Sequence, residues 1–203
     1  MKSSMQEIFP LIGTSMDGGS YAGRIMIDGQ AFALIVAPKA EGEHADIAWN
    51  KSTKLVEGAT SYFDGLANTK AMSAAGSKLA QWALDLRCGG HDDWYIPAQD
   101  ELEILYRYLK PTTYANTCWG RSGINLSAIA PTRPYVPDFP TRTEALAFQE
   151  GGSEAFDAVW YWSSTQSASD GAYAWGQIFD GGHQHNGRKL LQLRARAVRR
   201  SSI

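Results

Sequence analysis

The stretch 160–200, WYWSSTQSASDGAYAWGQIFDGGHQHNGRKLLQLRARAVRR, constrains the fold more than any other part of the chain. No helical period runs through it, and Gly and Asp recur where a chain must turn. Its density of Trp, Tyr, Ser and Thr favours short, twisted, half-buried strands. The strands are expected at 159–165, 173–180 and 193–200, with turns at 167–171 and 181–187. Surfaces of this composition suit recognition: aromatic side chains supply rigid contact area, and Ser, Gly and Asn supply adaptable hydrogen bonds.

The first half reads differently. Tyr21 to Pro38 is a hairpin, with Arg24-Ile25-Met26-Ile27 and Ala31 to Val36 flanking an Asp28-Gly29 turn. The second run is apolar on both faces, as in a central strand. Residues 42–58 are looser, anchored by Trp49 and Val56. Apolar residues at 71, 72, 75, 79, 82, 83 and 86 predict one helix over Asn68–Leu86, capped by Asn68 or Thr69 and stopped by Gly89-Gly90. A second helix is expected over Ala98–Leu109, with Leu102, Ile104, Leu105 and Leu109 inward and Asp100, Glu101 and Glu103 facing the N-terminal dipole. Residues 111–142, rich in Pro, Thr, Ser and Gly, form a long irregular excursion, functional or disordered. Thr143–Glu150 reads as a short helix packing through Leu146 and Phe148. Residues 1–20 are set apart as an N-terminal arm and oligomerisation segment, and 21–203 as the domain.

Bulk properties exclude several classes. A chain of 203 residues, 44% hydrophobic and 20% charged, has an ordinary soluble globular composition and needs no staples. Its net charge of −2 gives no reason to expect nucleic acid as a partner. Lys189, Arg194, Arg196, Arg199 and Arg200 are expected to pair with buried acids and brace the sheet. Cys88 and Cys118 read as reduced thiols, with one disulfide as the alternative. There is no apolar run of signal-peptide or membrane-span length, so synthesis in the cytoplasm without membrane insertion is expected.

Reactive chemistry finds little footing. Asp92-Asp93 would point to opposite faces and reads as a turn with Asx-type bonds to its own backbone. Ser163-Ser164-Thr165 lacks the glycines of a nucleophile elbow, so its hydroxyls are expected to satisfy buried backbone groups. His183 and His185 share a strand face, but only Asp180 is near as a further ligand, which favours an exposed binding loop over a metal. Gly18-Gly19, Gly151-Gly152 and Gly181-Gly182 are tight turns without phosphate-loop spacing. Neither a metal nor a cofactor is expected.

Gly89-Gly90-His91-Asp92-Asp93-Trp94-Tyr95-Ile96-Pro97, followed by Asp100-Glu101-Leu102 and Leu105-Tyr106, resembles the G-x-x-D-W-[RY]-[LI]-P signature of the Lcl C-terminal domain family. Trp160 to Thr165 is similar to that family's YWSST strand. Ala174-Trp175, Phe179, Gly182, Lys189 and Arg194 to Arg200 fit its closing pattern. The resemblance implies an α+β, C-type-lectin-like fold: a small twisted antiparallel sheet with two or three packed helices and long loops. The Tyr21–Pro38 segment and Leu109–Thr113 look like a phage and prophage subgroup, similar to the variable proteins of diversity-generating retroelements. The calcium-dependent sugar triplets of true C-type lectins are absent, as are the paired cysteines of formylglycine-generating enzymes. Calcium and that oxidase chemistry are therefore not carried over.

The expectation that follows is a non-enzymatic receptor-binding adhesin of a phage virion. Its ligand face is assigned to Ser167, Ser169, Asp170, Tyr173, Ile178, Asp180, His183, His185, Asn186 and Leu191, with Tyr173 and the two histidines as anchors. Leu190, Leu191 and Leu193 suggest an apolar patch in that site or a buried partner surface. The expected partners are a host cell-surface receptor (protein or polysaccharide), other virion proteins and further copies in a homotrimer. Two other readings compete: a structural cement subunit without ligand, and a cell-wall glycan hydrolase using Asp92, Asp93 or Glu101. The hydrolase needs carboxylates converging about 5–10 Å apart in a cleft.

Overall fold

The computed structural model describes residues 9–203. Among them the chain makes two sheets and four helices, an α+β arrangement. The first sheet holds β1 (Ser15–Met16), β2 (Gly19–Ile27), β3 (Gln30–Val36) and β9 (Val198–Ser202), in that order. The second runs β4 (Glu43–Ala48), β8 (Gln192–Arg196), β5 (Trp160–Gln166), β6 (Tyr173–Ile178), β7 (Gln184–Arg188). Neighbours are antiparallel except β5 and β8, which meet in parallel at Tyr161 and Arg194.

The hairpin is as read. Asp28 and Gly29 both take positive φ, 50° and 80°, the geometry that a two-residue turn between right-twisted strands requires. β3 is central, paired to β2 on one side and β9 on the other, with Ala33 to Val36 buried. The boundary at residue 20 falls inside β2. Ser15 and Met16 pair with Ser20 and Gly19, and Phe9, Ile12 and Met16 pack on the core. The described part of the supposed arm therefore belongs to the domain; residues 1–8 lie outside the described residues.

The long helix is two helices, α2 (Gly65–Ala74) and α3 (Lys78–Asp85). Gly76 at φ 81° breaks the path, and Ser77 restarts it, its Oγ accepting from the Ala80 N–H at 3.3 Å. The cap of α2 is Asp64, which accepts from the Ala67 N–H at 3.0 Å. Asn68 and Thr69 instead sit buried in the first turns, where Asn68 ties down Ser61 and Thr69 bridges to Ile96. Gly89-Gly90 does not end a helix; it turns the chain between Cys88 and His91.

The helix expected after Pro97 is α4 (Gln99–Leu109), and Leu102, Ile104, Leu105 and Leu109 are buried. Its acids are not the surface charges they resemble, because all of α4 except Tyr108 is buried. Asp100 is held by Arg121 at 2.7 Å and the Ser127 hydroxyl at 2.8 Å. Glu103 is held by Arg107 at 2.6 Å and Asn125 at 2.7 Å. Three of those partners, Arg121, Asn125 and Ser127, lie in the 111–142 excursion. That segment forms no helix or strand, yet it is fastened to α4. The helix expected over 143–150 shrinks to one 3-10 turn, Leu146–Phe148; Phe148 is buried and Leu146 stands in solvent.

Two further elements follow the hairpin: a one-turn helix, α1 (Lys39–Gly42), leading into the stretch read as loose, and β4 within that stretch. Trp49 is wholly buried beyond them and donates its indole N–H to the Ser163 carbonyl at 2.9 Å. At the other end, the run 193–200 divides at Ala197, so β8 joins one sheet and β9 the other. Most of the turn expected at 181–187 is taken up by β7, which runs on to Arg188.

The arginines are braces. Arg196, with no exposed surface, reaches Glu154 at 2.6 Å and Glu43 at 3.4 Å. Arg194 meets Asp157 at 2.9 Å, Arg199 meets Asp93 at 2.7 Å, and Arg200 meets Asp64 at 3.0 Å. Asp93 is thus one half of a bidentate pair and not an Asx turn. Lys189 differs, since it pairs with no acid. Its ammonium bonds the Gln166 amide oxygen and the Lys54 carbonyl above the Trp49 ring. Both cysteines are free thiols, Cys88 buried and Cys118 exposed. Among the described residues no helix is long and apolar enough to cross a membrane.

Candidate functional site

Strand pairing decides which of the recognition residues can act together. β5, β6 and β7 form an antiparallel ribbon in which Trp160 lies opposite Ile178, Trp162 opposite Gly176, and Gly176 opposite His185. Residues opposite one another share a face, so these five project to one side. On the other side Tyr161, Gln177 and Gln184 face the core over α4, and Tyr173 pairs with Arg188.

On the first side His183 gathers three rings. Trp119 packs on it with centroids 4.2 Å apart, Trp160 at 5.6 Å and His185 at 5.7 Å. Trp119 comes from the irregular excursion and is 61% exposed. Its loop is pinned on both sides of the indole. The Thr117 N–H donates to the Gly181 carbonyl at 2.8 Å, and the Ser122 hydroxyl accepts from the Gln184 N–H at 3.2 Å. A rigid strand edge and a tethered loop thus hold a row of aromatic plates open to solvent.

Beside the row runs a groove of about 230 Å³, walled by Trp160, Trp162, His185, Leu191 and Leu193 and floored by Gly176 and Gly187. The glycines make it possible. A Cβ at Gly176 would meet the Tyr161 carbonyl at 2.8 Å, and one at Gly187 would meet Leu191 at 3.3 Å and Trp162 at 3.6 Å. Among the described residues no Lys, Arg, Asp or Glu lines the groove. The apolar patch read from Leu191 and Leu193 is one wall of it, while Leu190 points away from the lining and is about half exposed.

Burial lowers the His183 pKa, and His185 lowers it further against the opposing pull of Asp180. The Nε2 of His183 is buried without a hydrogen-bond partner. His185 Nδ1 lies 2.6 Å from the Asn186 carbonyl, so in the neutral ring this nitrogen donates and Nε2 is left as an acceptor. Among the described residues no three His, Cys, Asp or Glu side chains gather as a metal site.

The ten residues assigned from sequence therefore divide. Ile178, His183, His185 and Leu191 converge on this face. Asn186 borders the groove, but its register opposite Trp175 sends its side chain to the other side. Ser167, Ser169 and Asp170 lie in the β5–β6 connection, where Ser167 is buried against Ser169, and Asp170 caps the turn through the Ala172 N–H at 2.9 Å. Tyr173 is on the opposite face, within 3.4 Å of Arg188. Asp180 sits past the end of β6, its carbonyl accepting from the Thr112 hydroxyl at 2.6 Å. Sequence reading missed Trp119, Trp160 and Trp162 as parts of this face. The period-2 partnership of Trp160 and Trp162 within YWSST was a usable signal; nothing local points to Trp119.

The carboxylates considered for hydrolysis do not share a cleft. Glu101 is sealed from solvent, accepting from Tyr95 OH at 2.6 Å and from the Ala98 and Gly65 N–H groups at 2.7 and 3.1 Å. Asp93 is engaged by Arg199, and Asp92 borders an open surface hollow with His91. The serine run acts as expected: Ser163 Oγ donates to the Trp175 carbonyl, and Thr165 Oγ1 joins the Ser61 carbonyl to the Gln99 N–H.

No curated protein matches the chain. The model of the Lcl C-terminal domain matches residues 41–199, from just before β4 into β9. That span takes in the second sheet, α2 to α4 and the whole aromatic face. Most of the chain is thereby accounted for, and the protein belongs to the Lcl C-terminal domain family, a lectin-like, adhesin-type domain.

Proposed function

We propose that the protein is a receptor-binding adhesin of a phage particle, and that the face carrying Trp119, Trp160, His183 and His185 is its ligand site. One observation carries this reading: a solvent-open aromatic row on a pinned loop and strand, continuous with an uncharged apolar groove. An indole kept in water on a braced scaffold costs little conformational freedom when it meets a partner, which is the property of a binding anchor. The scaffold beneath is fixed by buried arginine braces, so the surface side chains can vary without unfolding it. The reading makes the protein non-enzymatic and homotrimeric on the virion, where several weak sites acting together suffice.

The test is retention of purified protein on host bacteria. The triple variant Trp119→Ala, His183→Ala, His185→Ala, folded by circular dichroism, is expected to lose retention by at least an order of magnitude. Tyr173→Ala, on the opposite face, is expected to bind as the parent does. Full retention by the folded triple variant would overturn the assignment of this face. No retention of the parent protein on any susceptible strain would favour a cement subunit without ligand.

A further inference from the structure

We infer that the ligand of this face is a neutral glycan, bound through a methyl-bearing hexose (6-deoxy or N-acetyl) that stacks on Trp119 and Trp160 and puts its methyl group into the groove. The inference rests on the reading of this face as the receptor site and names its chemistry.

Four observations converge on it. The exposed Trp119 and the partly buried Trp160 present flat, amphipathic rings, and a pyranose offers a matching surface, one face of C–H bonds ringed by hydroxyls. The rim supplies a hydroxyl partner: with Nδ1 of His185 donating to the Asn186 carbonyl, the Nε2 of the neutral ring is left to accept from a sugar hydroxyl. The groove, about 230 Å³, falls below the roughly 300 Å³ at which drug-sized ligand sites begin, so it takes one ring substituent and not an extended chain. Its walls are carbon, which rewards a methyl group and penalises a buried hydroxyl left without a partner.

Charge excludes the main alternative within glycans. Sulfated or uronic chains need cations at the surface. Here Arg194, Arg196, Arg199 and Arg200 are engaged by Asp157, Glu154, Asp93 and Asp64, and Lys189 is enclosed. The burial that lowers the His183 pKa keeps that ring uncharged at neutral pH. Among the described residues the groove therefore carries no fixed cation for an anion, while a neutral sugar meets aromatic faces and a hydroxyl acceptor.

The experiment has two arms. Host cells are treated either with periodate, which cleaves vicinal diols, or with protease, and retention of the intact protein is measured. In parallel, rhamnose-, fucose- and N-acetylglucosamine-containing neutral oligosaccharides are titrated by saturation-transfer NMR, with heparin and polygalacturonate as anionic controls. Periodate is expected to abolish retention and protease to spare it. One or more of the neutral sugars should show saturation transfer to its own protons that is lost on replacing Trp119 or Trp160 with Ala, and the anionic chains should not. Trp119→Ala should weaken the sugar at least tenfold, and Leu191→Ser should weaken methyl-bearing sugars more than glucose. Protease-sensitive, periodate-resistant retention that still depends on Trp119 would sink the glycan while leaving the face as the receptor site. Retention by a folded Trp119→Ala, Leu191→Ser variant equal to the parent would remove both.

Discussion

Glu101 sits where three chain segments meet, and its chemistry is set by what encloses it. Burial pushes its pKa up to about 7, against the bonds from Tyr95 and Ala98 and the field of Arg200 that favour its ionised form. A carboxyl whose folded pKa is raised stabilises the native state below its ordinary value near 4.5, and that contribution disappears as pH rises through about 7. Denaturant unfolding at several pH values should therefore show wild type losing stability between pH ~5 and ~7.5 relative to Glu101→Gln. Parallel curves would refute the shift. Arg196 is the opposite case, a buried cation with two acids. Arg196→Met should cost about 3–5 kcal/mol by taking the buried guanidinium away from Glu154, while Glu43 keeps Arg194, and Arg196→Lys should recover little of it because an ammonium cannot span both acids. Thermal melting checks each. That the C-terminal arginines brace the sheet was legible from their strand spacing and the acidic balance of the chain. Their partners were not, because Arg196 reaches acids 153 and 42 residues away.

Elements were readable where local chemistry decides them. The Asp28-Gly29 turn specifies its own dihedral angles, and Leu102, Leu105 and Leu109 of α4 follow at helical steps of three and four. The break between α2 and α3 escaped because the apolar period runs straight through Gly76, so period and backbone give different answers. Ser77 is what enforces the break, capping α3 and donating to the Trp49 carbonyl. Ser77→Ala should destabilise by roughly 1–2 kcal/mol, seen as a lower denaturant midpoint with unchanged slope. β7 escaped for another reason. Gln184-His185-Asn186-Gly187-Arg188 shows no apolar alternation, because one side of this edge strand meets polar core groups and the other meets solvent. The acids of α4 misled in the same way: a polar helix is normally a surface helix, and here the irregular excursion wraps it and supplies the counter-groups.

At the scale of the whole molecule, two sheets depend on one residue of slack. Ala197 lies between β8 and β9; its N–H donates to the Gly42 carbonyl and its carbonyl accepts from the Ala37 N–H, so the chain passes from one sheet to the other without losing a bond. β9 then pairs with β3 at five positions, from Val36 with Val198 to Phe32 with Ser202, and bridges Tyr95. Removing residues 198–203 should abolish cooperative unfolding, measured by calorimetry, although the aromatic face lies on the other sheet. No sequence signal marks Ala197 as a crossing point, and none ties Trp119 to His183, because both relations exist only once distant segments are assembled. The floor of the groove carries a further consequence. At position 176 the main chain leaves no room for any side chain. At 187 the obstacle is the mobile tip of a leucine. The cleft can therefore be made shallower from one end alone, and substitutions that leave the fold intact should collect at 187 while 176 stays glycine.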